Sequence, residues 1–200
     1  MDGMTWMASA MHAAQAQLDT AAHNLANVGS DGFRRVRSTL VFTERGLAVG
    51  EGPGEASDAG QGGIHETGRP FDLALLGRGV FGLDGGATTR AGAFVRDREG
   101  WLRDAGGRRL HGVHGPLRLS AEASVDGDGV VRDGGRIVDR LPLPAGTSVR
   151  SGALEASNVD AVGETLAILN AQRSFETAQK TFVAIDETRD KAVNDVVRLK

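Results

Sequence analysis

The stretch Ala161-Val-Gly-Glu-Thr-Leu-Ala-Ile168-Leu-Asn-Ala171-Gln-Arg-Ser-Phe175-Glu-Thr-Ala178-Gln-Lys-Thr-Phe182-Val-Ala-Ile185 opens the final portion of a 200-residue chain. Its apolar positions Ile168, Ala171, Phe175, Ala178, Phe182 and Ile185 alternate steps of three and four. The same stepping continues through Arg189, Ala192, Val196 and Leu199, with Arg189 as the single break. This is the pattern of a helix that lies along another helix. From Asp160 to Leu199 it predicts a rod about 60 Å long, at about 1.5 Å per residue. Ser157, Asn158 and Asp160 offer capping oxygens at its start, with Ser157-x-x-Asp160 a loose capping box. Glu176–Lys180 and Glu187–Lys191 set acid before base four residues apart, the better order on a solvated face. A single helix of this length cannot cover its own stripe, so a partner is required.

The other end of the chain supplies one. Met4, Met7, Met11, Ala14, Leu18, Ala21, Leu25 and Val28 repeat the same stepping. Ala and Met are good helix formers, and the small Ala positions permit close approach. Asp2 and Asp19 are the only ionised side chains before Asp31. The face away from the stripe carries Ala, Ser, Gln, Asn and His, which suits burial among other chains; an ordinary amphipathic helix on a Gly-rich domain is the alternative. His12 and His23 read as packing residues. Asn27-Val-Gly-Ser-Asp-Gly32 closes the helix with residues that tolerate left-handed backbone.

Between the helical ends lie 25 of the 29 glycines, in residues 31–150. Phe33–Val49 reads as extended chain with a turn near Glu44-Arg45-Gly46, and Arg34, Arg35 and Arg37 as a solvated strand face. Gly50–Gly63 has no core former except two Ala and reads as a mobile loop. Residues 64–143 read as all-β. Short runs at Phe71–Leu76, Gly79–Leu83, Ala93–Arg96, Trp101–Asp104, Leu117–Leu119, Val130–Arg132 and Ile137–Leu141 are separated by Gly- and Asp-rich turns. Their spacing suits a small sandwich or barrel of hairpins, and Ala145–Ser151 reads as the lead into the last helix. The predicted class is therefore α+β. The N- and C-terminal helices pair in an antiparallel coiled-coil-like arrangement, beside a central all-β domain of short hairpin strands. The expected parts are 1–30 (N-terminal helix), 31–63 (extended segment and Gly-rich loop), 64–151 (β-domain) and 152–200 (C-terminal helix).

Net charge is −3, which does not suit a general nucleic-acid binder. There are no cysteines, so disulfides and thiolate metal sites are excluded. The N-terminal residues lack a basic region, an apolar core and a cleavage signature, and no apolar run approaches membrane-spanning length. Gly77-Arg-Gly79-Val-Phe-Gly82 has the letters of a dinucleotide fingerprint. That site needs its third Gly to open a helix, whereas Leu83-Asp-Gly-Gly86-Ala reads as a turn. Asp126-Gly-Asp128-Gly lacks the remaining oxygens and the closing Glu of a calcium loop, so it reads as a β-turn. His111-x-x-His114 could clamp a metal but has no third ligand placed with it. No constellation for catalysis is found, and neither an enzyme nor a cofactor is expected.

Five motifs resemble those of bacterial flagellar rod and hook proteins. Ala22-His-Asn-Leu-Ala-Asn-Val-Gly-Ser-Asp-Gly-Phe33-Arg is similar to their N-terminal signature N-N-L-A-N-x-x-T-x-G-F-[KR]. Thr67-Gly-Arg-Pro-Phe-Asp-Leu-Ala-Leu-Leu-Gly-Arg-Gly-Val-Phe81 resembles T-G-x-x-x-D-x-x-I-x-G-x-G-F-F, and Thr89-Arg-x-Gly-x-Phe94 continues it. Gly152-Ala-Leu-Glu-Ala-Ser-Asn-Val159 matches G-x-L-E-x-S-N-V, and Asn170-Ala-Gln-Arg-Ser-Phe-Glu176 matches x-A-Q-R-x-[FY]-E. Ser30 and Asp31, Val80, and Gly163-Glu164 depart from the usual letters.

The resemblance implies a structural subunit of the flagellar basal-body rod, of proximal or distal type. Such a chain polymerises into the helical drive shaft that carries motor torque to the hook and filament. Its implied partners are itself, other rod and hook axial proteins, and the flagellar type III export apparatus, through which it passes without a cleaved signal peptide. Nucleic acid and membrane insertion are not expected. The expected assembly interface comprises Met4, Met7, Met11, Leu18, Asn24, Leu25, Asn27, Ile168, Phe175, Phe182, Ile185, Val196 and Leu199. The rival readings are a monomeric β-domain binding module with a helical stalk and a nucleotide-binding enzyme using Gly77–Gly82.

Overall fold

The fold is that of a computed structural model, described here for residues 3–43, 46–50 and 60–198. It is α+β. In chain order, α1 (Gly3–Ala26) precedes β1 (Thr39–Thr43) and β2 (Gly46–Gly50). Next come β3 (Ile64–Glu66), β4 (Leu73–Leu76), β5 (Phe81–Gly82), a 3-10 turn at Asp84–Gly86, and β6 (Thr88–Thr89). Then follow β7 (Val95–Arg96), β8 (Leu102–Arg103), β9 (Ser124–Val125), β10 (Val130–Asp133) and β11 (Arg136–Arg140). Last are β12 (Ser148–Ser151), β13 (Ala153–Glu155) and α2 (Ala161–Arg198). The chain divides into two compact units. One comprises Met1–Ala26, Val36–Asp58 and Asp160–Lys200; the other comprises Asn27–Arg35 and Ala59–Val159.

In the helical unit, α1 packs against α2 and against β2, which pairs antiparallel with β1. Gly3 lies beside Ile185: a Cβ at Gly3 would stand 3.6 Å from Ile185 Cδ1. Arg189 Nη1 donates to Met4 Sδ at 2.7 Å. Ala171 and Ala178 are buried on α2, and Ile168, Phe175, Phe182 and Ile185 are half-buried, so the covered face is the stripe read from the sequence. On α1 the covered side is broader. Ala13 is buried beside Ala14, because a helix with two neighbours buries more than one line of residues. His12 and His23 are exposed, contrary to their reading as packing residues. Val28 lies beyond the helix and is exposed.

The start of α2 is capped by one residue. Asp160 Oδ1 accepts from Val162 N at 3.1 Å, and the Asp160 carbonyl accepts from Glu164 N at 2.9 Å. Asn158 does not cap the helix: its amide is committed to the β unit. Ser157 Oγ accepts from Val159 N, just ahead of the helix.

The β unit is a set of small antiparallel ladders around one apolar core. A three-stranded sheet runs β11-β10-β9; the pairs β12-β4, β13-β3, β5-β6 and β7-β8 complete it among the described residues. Among the described residues these strands are two to five residues long. Leu73, Leu75, Phe81, Phe94, Leu102, Leu110, Leu117, Leu141 and Val149 converge in the core, and Phe81 meets Phe94 edge-to-face at 5.2 Å between ring centres. Such a pair contributes roughly 1 kcal/mol beyond its burial. Leu117–Leu119 makes single bridges rather than a strand, at Pro116 and Arg118. The sharper departure is at residues 148–155. Instead of leading into α2, this segment turns at Gly152 (φ +73°) and forms β12 and β13. The β11 strand is the outer member of its sheet; Ile137 and Val138 are 63% and 49% exposed between Arg136 and Arg140.

Gly50–Gly63 is only partly described. Residues 51–59, and Glu44 and Arg45 at the expected turn, lie outside the described residues. Gly60–Gly63 are held: Gln61 Nε2 donates to the Leu75 carbonyl (2.8 Å), and Ala156 N donates to the Gly63 carbonyl (2.8 Å).

Candidate functional site

Three of the motifs read from the sequence meet at one buried carboxylate. Glu155, from β13, is 2% exposed and Arg90, after β6, is 6% exposed. Arg90 Nε and Nη2 donate to Glu155 Oε2 at 2.8 and 2.6 Å. The rest of the guanidinium is taken by carbonyls: Nη1 donates to Gly77 and Gly79 (3.1 and 2.6 Å), and Nη2 to Leu75 (3.2 Å). On the other carboxylate oxygen, Gly62 N donates at 3.2 Å and Arg34 Nη2 stands at 3.8 Å. A buried carboxylate is tolerated only when charged and hydrogen-bonding partners surround it, as here. Arg34 is thus turned to a buried acid, which corrects its reading as part of a solvated face; Arg35 is half-buried and Arg37 is exposed.

The backbone closes the same junction. Gly32 N donates to the Glu155 carbonyl at 2.6 Å. Arg35 N donates to Asn158 Oδ1 (2.7 Å), Asn158 N to the Phe33 carbonyl (3.3 Å), and Asn158 Nδ2 to the Gly60 carbonyl (2.8 Å). Gly32 has φ +67°, and a Cβ there would lie 2.4 Å from the Arg90 carbonyl carbon. Only glycine fits. Segment 32–35 is therefore stitched to 155–158.

This disposes of the dinucleotide reading. The carbonyls of Gly77 and Gly79 face a guanidinium, a cation, where a phosphate loop presents N–H groups to an anion. The chain continues as β5 and a 3-10 turn, not a helix. The neighbouring Asp72 is likewise held inside the unit, by Thr67 Oγ1 (2.5 Å) and Arg69 Nε (2.8 Å).

The two histidines of His111-x-x-His114 separate onto different acids. His111 Nε2 lies 2.7 Å from Asp84 Oδ1, and His114 Nδ1 lies 2.8 Å from Asp139 Oδ1. The His111 hydrogen bond, with help from Arg109, holds the Asp84 carboxyl below its ordinary range. At Asp139, burial pushes upward, but hydrogen bonds from His114 and from backbone N–H groups outweigh it and the net direction is down. No group of three or more metal-ligating side chains occurs among the described residues. Asp126 Oδ1 accepts from Asp128 N and Val130 N, which makes its loop a turn and not a cation site.

The expected interface residues fall in several settings. Met4, Met7, Met11, Leu18, Leu25, Ile168, Phe175, Phe182 and Ile185 are half-buried on the helices. Asn24 is buried inside the helical unit, where its amide both donates to the Val36 carbonyl (2.9 Å) and accepts from Val36 N (2.8 Å). Asn27 Oδ1 accepts from Ser30 Oγ in the turn after α1. Val196 lies in α2, and Leu199 lies outside the described residues. What sequence reasoning missed is the Arg90–Glu155 pair. Both letters stand in quoted motifs, but nothing in a chain separation of 65 residues announces that they touch.

Two family profiles match the chain: Flagella basal body rod protein over residues 6–34, and Flagellar basal body rod FlgEFG protein C-terminal over residues 150–195. The flagellar basal-body rod protein FlgG of Bacillus subtilis (strain 168) is 29% identical over 93% of this chain and 96% of that protein. FlgF of Mesorhizobium japonicum is 28% identical over 92% of this chain and 93% of its own length. The chain belongs to the flagellar basal-body rod proteins. Relatives of this rod protein include the flagellar hook protein FlgE of Brucella abortus, 36% identical over 68% of this chain but only 36% of the hook protein. It is accordingly a structural subunit of the flagellar rod or hook. The first profile holds Gly32 and Arg34 and the second holds Glu155, so both matched segments send residues into the junction.

Proposed function

We propose that this rod protein polymerises through its helical unit into a helical shaft that transmits torque from motor to hook and filament. The observation that carries this reading is the unfinished cover on α2. With α1 in place, Phe175, Phe182 and Ile185 are still only half-buried, and Val162, Leu166, Leu169 and Val183 are 46–70% exposed. Two open grooves flank the α1–α2 line, one bordered by Met7, Arg173 and Thr181, the other by Met11, His12 and Phe175. A helix apolar beyond one stripe is suited to further helical neighbours. We read the two helices as an antiparallel, coiled-coil-like pair: Gly3 lies near Ile185 and Met11 near Phe175, so numbers rise on one helix as they fall on the other. Copies joined by heterologous contacts that do not close would form a tube. The near-chargeless α1 would sit innermost. Other axial proteins would be met above and below, and the flagellar type III apparatus would export the chain.

Sedimentation of the full chain over a range of concentrations, with electron microscopy of the pellet, tests this. Concentration-dependent filaments or protofilaments are expected. A chain that stays monomeric at the highest concentrations, and that fails to enter basal bodies in cells, would refute it.

A further inference from the structure

We infer that Glu155 and Asn158 form a peptide seat on the β unit, that the strap of residues 32–35 is its ligand, and that the strap of a second copy can fill it. The ligand class is an extended segment with glycine at its first position and arginine at its third. The helical stripe takes no part, so a chain that does not polymerise would still show this exchange.

The seat is built without the strap. The apolar core of the β unit takes no residue from 27–35. Arg90 holds one Glu155 oxygen and Gly62 N the other, and Arg90 is itself anchored on the carbonyls of Leu75, Gly77 and Gly79. The strap adds to this finished surface in the manner of an added strand. Gly32 N donates to the Glu155 carbonyl, Arg35 N donates to Asn158 Oδ1, and the Phe33 carbonyl accepts from Asn158 N. Those bonds use main-chain groups that any extended segment offers. Two positions select among segments. The floor beneath Gly32 is the Arg90–Ala91 peptide, whose carbonyl carbon would lie 2.4 Å from a Cβ, so a larger residue is refused. Arg34 Nη2 stands 3.8 Å from Glu155 Oε1, the oxygen opposite the one that Arg90 holds, so a cation there meets a buried acid. A second copy carries the same glycine and arginine and would make the same bonds, which is what lets an element pass between protomers at low cost.

Full-length chains carrying Trp6→Phe and Phe182→Asp test this, because Trp101 is then the one tryptophan and the stripe is broken. Adding Gly32→Val expels the chain's own strap and empties the seat. A synthetic peptide of residues 27–37 should raise the urea midpoint of this acceptor saturably, since a ligand of the folded state stabilises it. The Arg34→Ala peptide should need about tenfold more for the same rise, and the Gly32→Val peptide should give none. A donor chain carrying Glu155→Gln and Trp101→Phe, silent in emission, should act as the peptide does. No rise at millimolar peptide overturns the seat, as does an equal rise from the Gly32→Val peptide. An acceptor without a cooperative Trp101 transition overturns it too, because the strap is then part of the fold. A peptide that works where the donor chain does not overturns exchange between copies. Sedimentation of the wild-type chain decides the assembly reading separately, whichever of these results is found.

Discussion

Arg90 leaves its guanidinium no water: one carboxylate and three carbonyls take its donors. Removing one partner of a buried ion pair typically costs about 3–5 kcal/mol, because the other charge is stranded. Arg90→Met should destabilise the β unit by about that amount in urea unfolding followed at Trp101. Arg150→Ala, which removes an exposed pair with Glu66, should cost about 0–1 kcal/mol. The glycines beside Arg90 act through two different causes. Gly77 has φ +104°, and a Cβ there would stand 2.9 Å from the Gly146 carbonyl oxygen, so Gly77→Ala strains the backbone itself. At Gly79 the backbone is ordinary, and a Cβ would meet the side chains of Pro144 and Thr147 at 3.2 and 3.3 Å. Gly79→Leu should therefore damage the fold through packing. The wild-type chain should show no saturable binding of a nicotinamide nucleotide in calorimetry. The letters G-x-G-x-x-G were legible, but their meaning was not. A glycine loop that accepts an internal arginine and one that binds a phosphate differ in which backbone groups point inward, and letters do not record that.

At the scale of elements, the helices were legible because their period is local. Each of Ala171, Phe175, Ala178 and Phe182 is placed on the covered face by residues three or four away. Phe182→Asp sets a charge into that face, and an unpaired charge among apolar groups is strongly unfavourable. The variant should fail to polymerise and should not support swimming, while circular dichroism and Trp101 emission show the β unit intact. Lys180→Ala, on the exposed side, should behave as wild type. The strands β12 and β13 were not legible as strands. Val149 and Leu154 belong to a run that sits directly before a helix, and the partners that make it a sheet, β4 and β3, lie far back in the chain. Ladder pairing is non-local, so hydrophobic runs reveal that strands exist but not which of them meet. The same limit hid the role of Asn158, whose side chain suits a helix cap but is committed to Arg35 and Gly60.

The whole molecule should respond to acid through its β unit. Asp133 is held below the ordinary carboxylate range by hydrogen bonds from Ser120, and Asp97 by its hydrogen bond from Arg103, as Asp84 is by His111. A carboxyl depressed in the folded state contributes stability that is complete above the unfolded value, about 4, and is lost as pH falls through the lower folded values. The urea midpoint reported by Trp101 should hold steady near pH 6 and fall as the pH drops below about 4, and Asp133→Asn should flatten that fall. The outermost strand of the three-stranded sheet carries one more consequence. Val113 N already donates to the Arg140 carbonyl at 2.8 Å and the β10–β11 register slips at Val138, so little regular edge is open to a second copy, and the charges of Arg136 and Arg140 flank what is left. The exposed Ile137 and Val138 should thereby be hindered from templating a cross-β ladder. With Arg136 and Arg140 both replaced by Thr, a concentrated solution should turn thioflavin-positive while the wild-type chain stays clear.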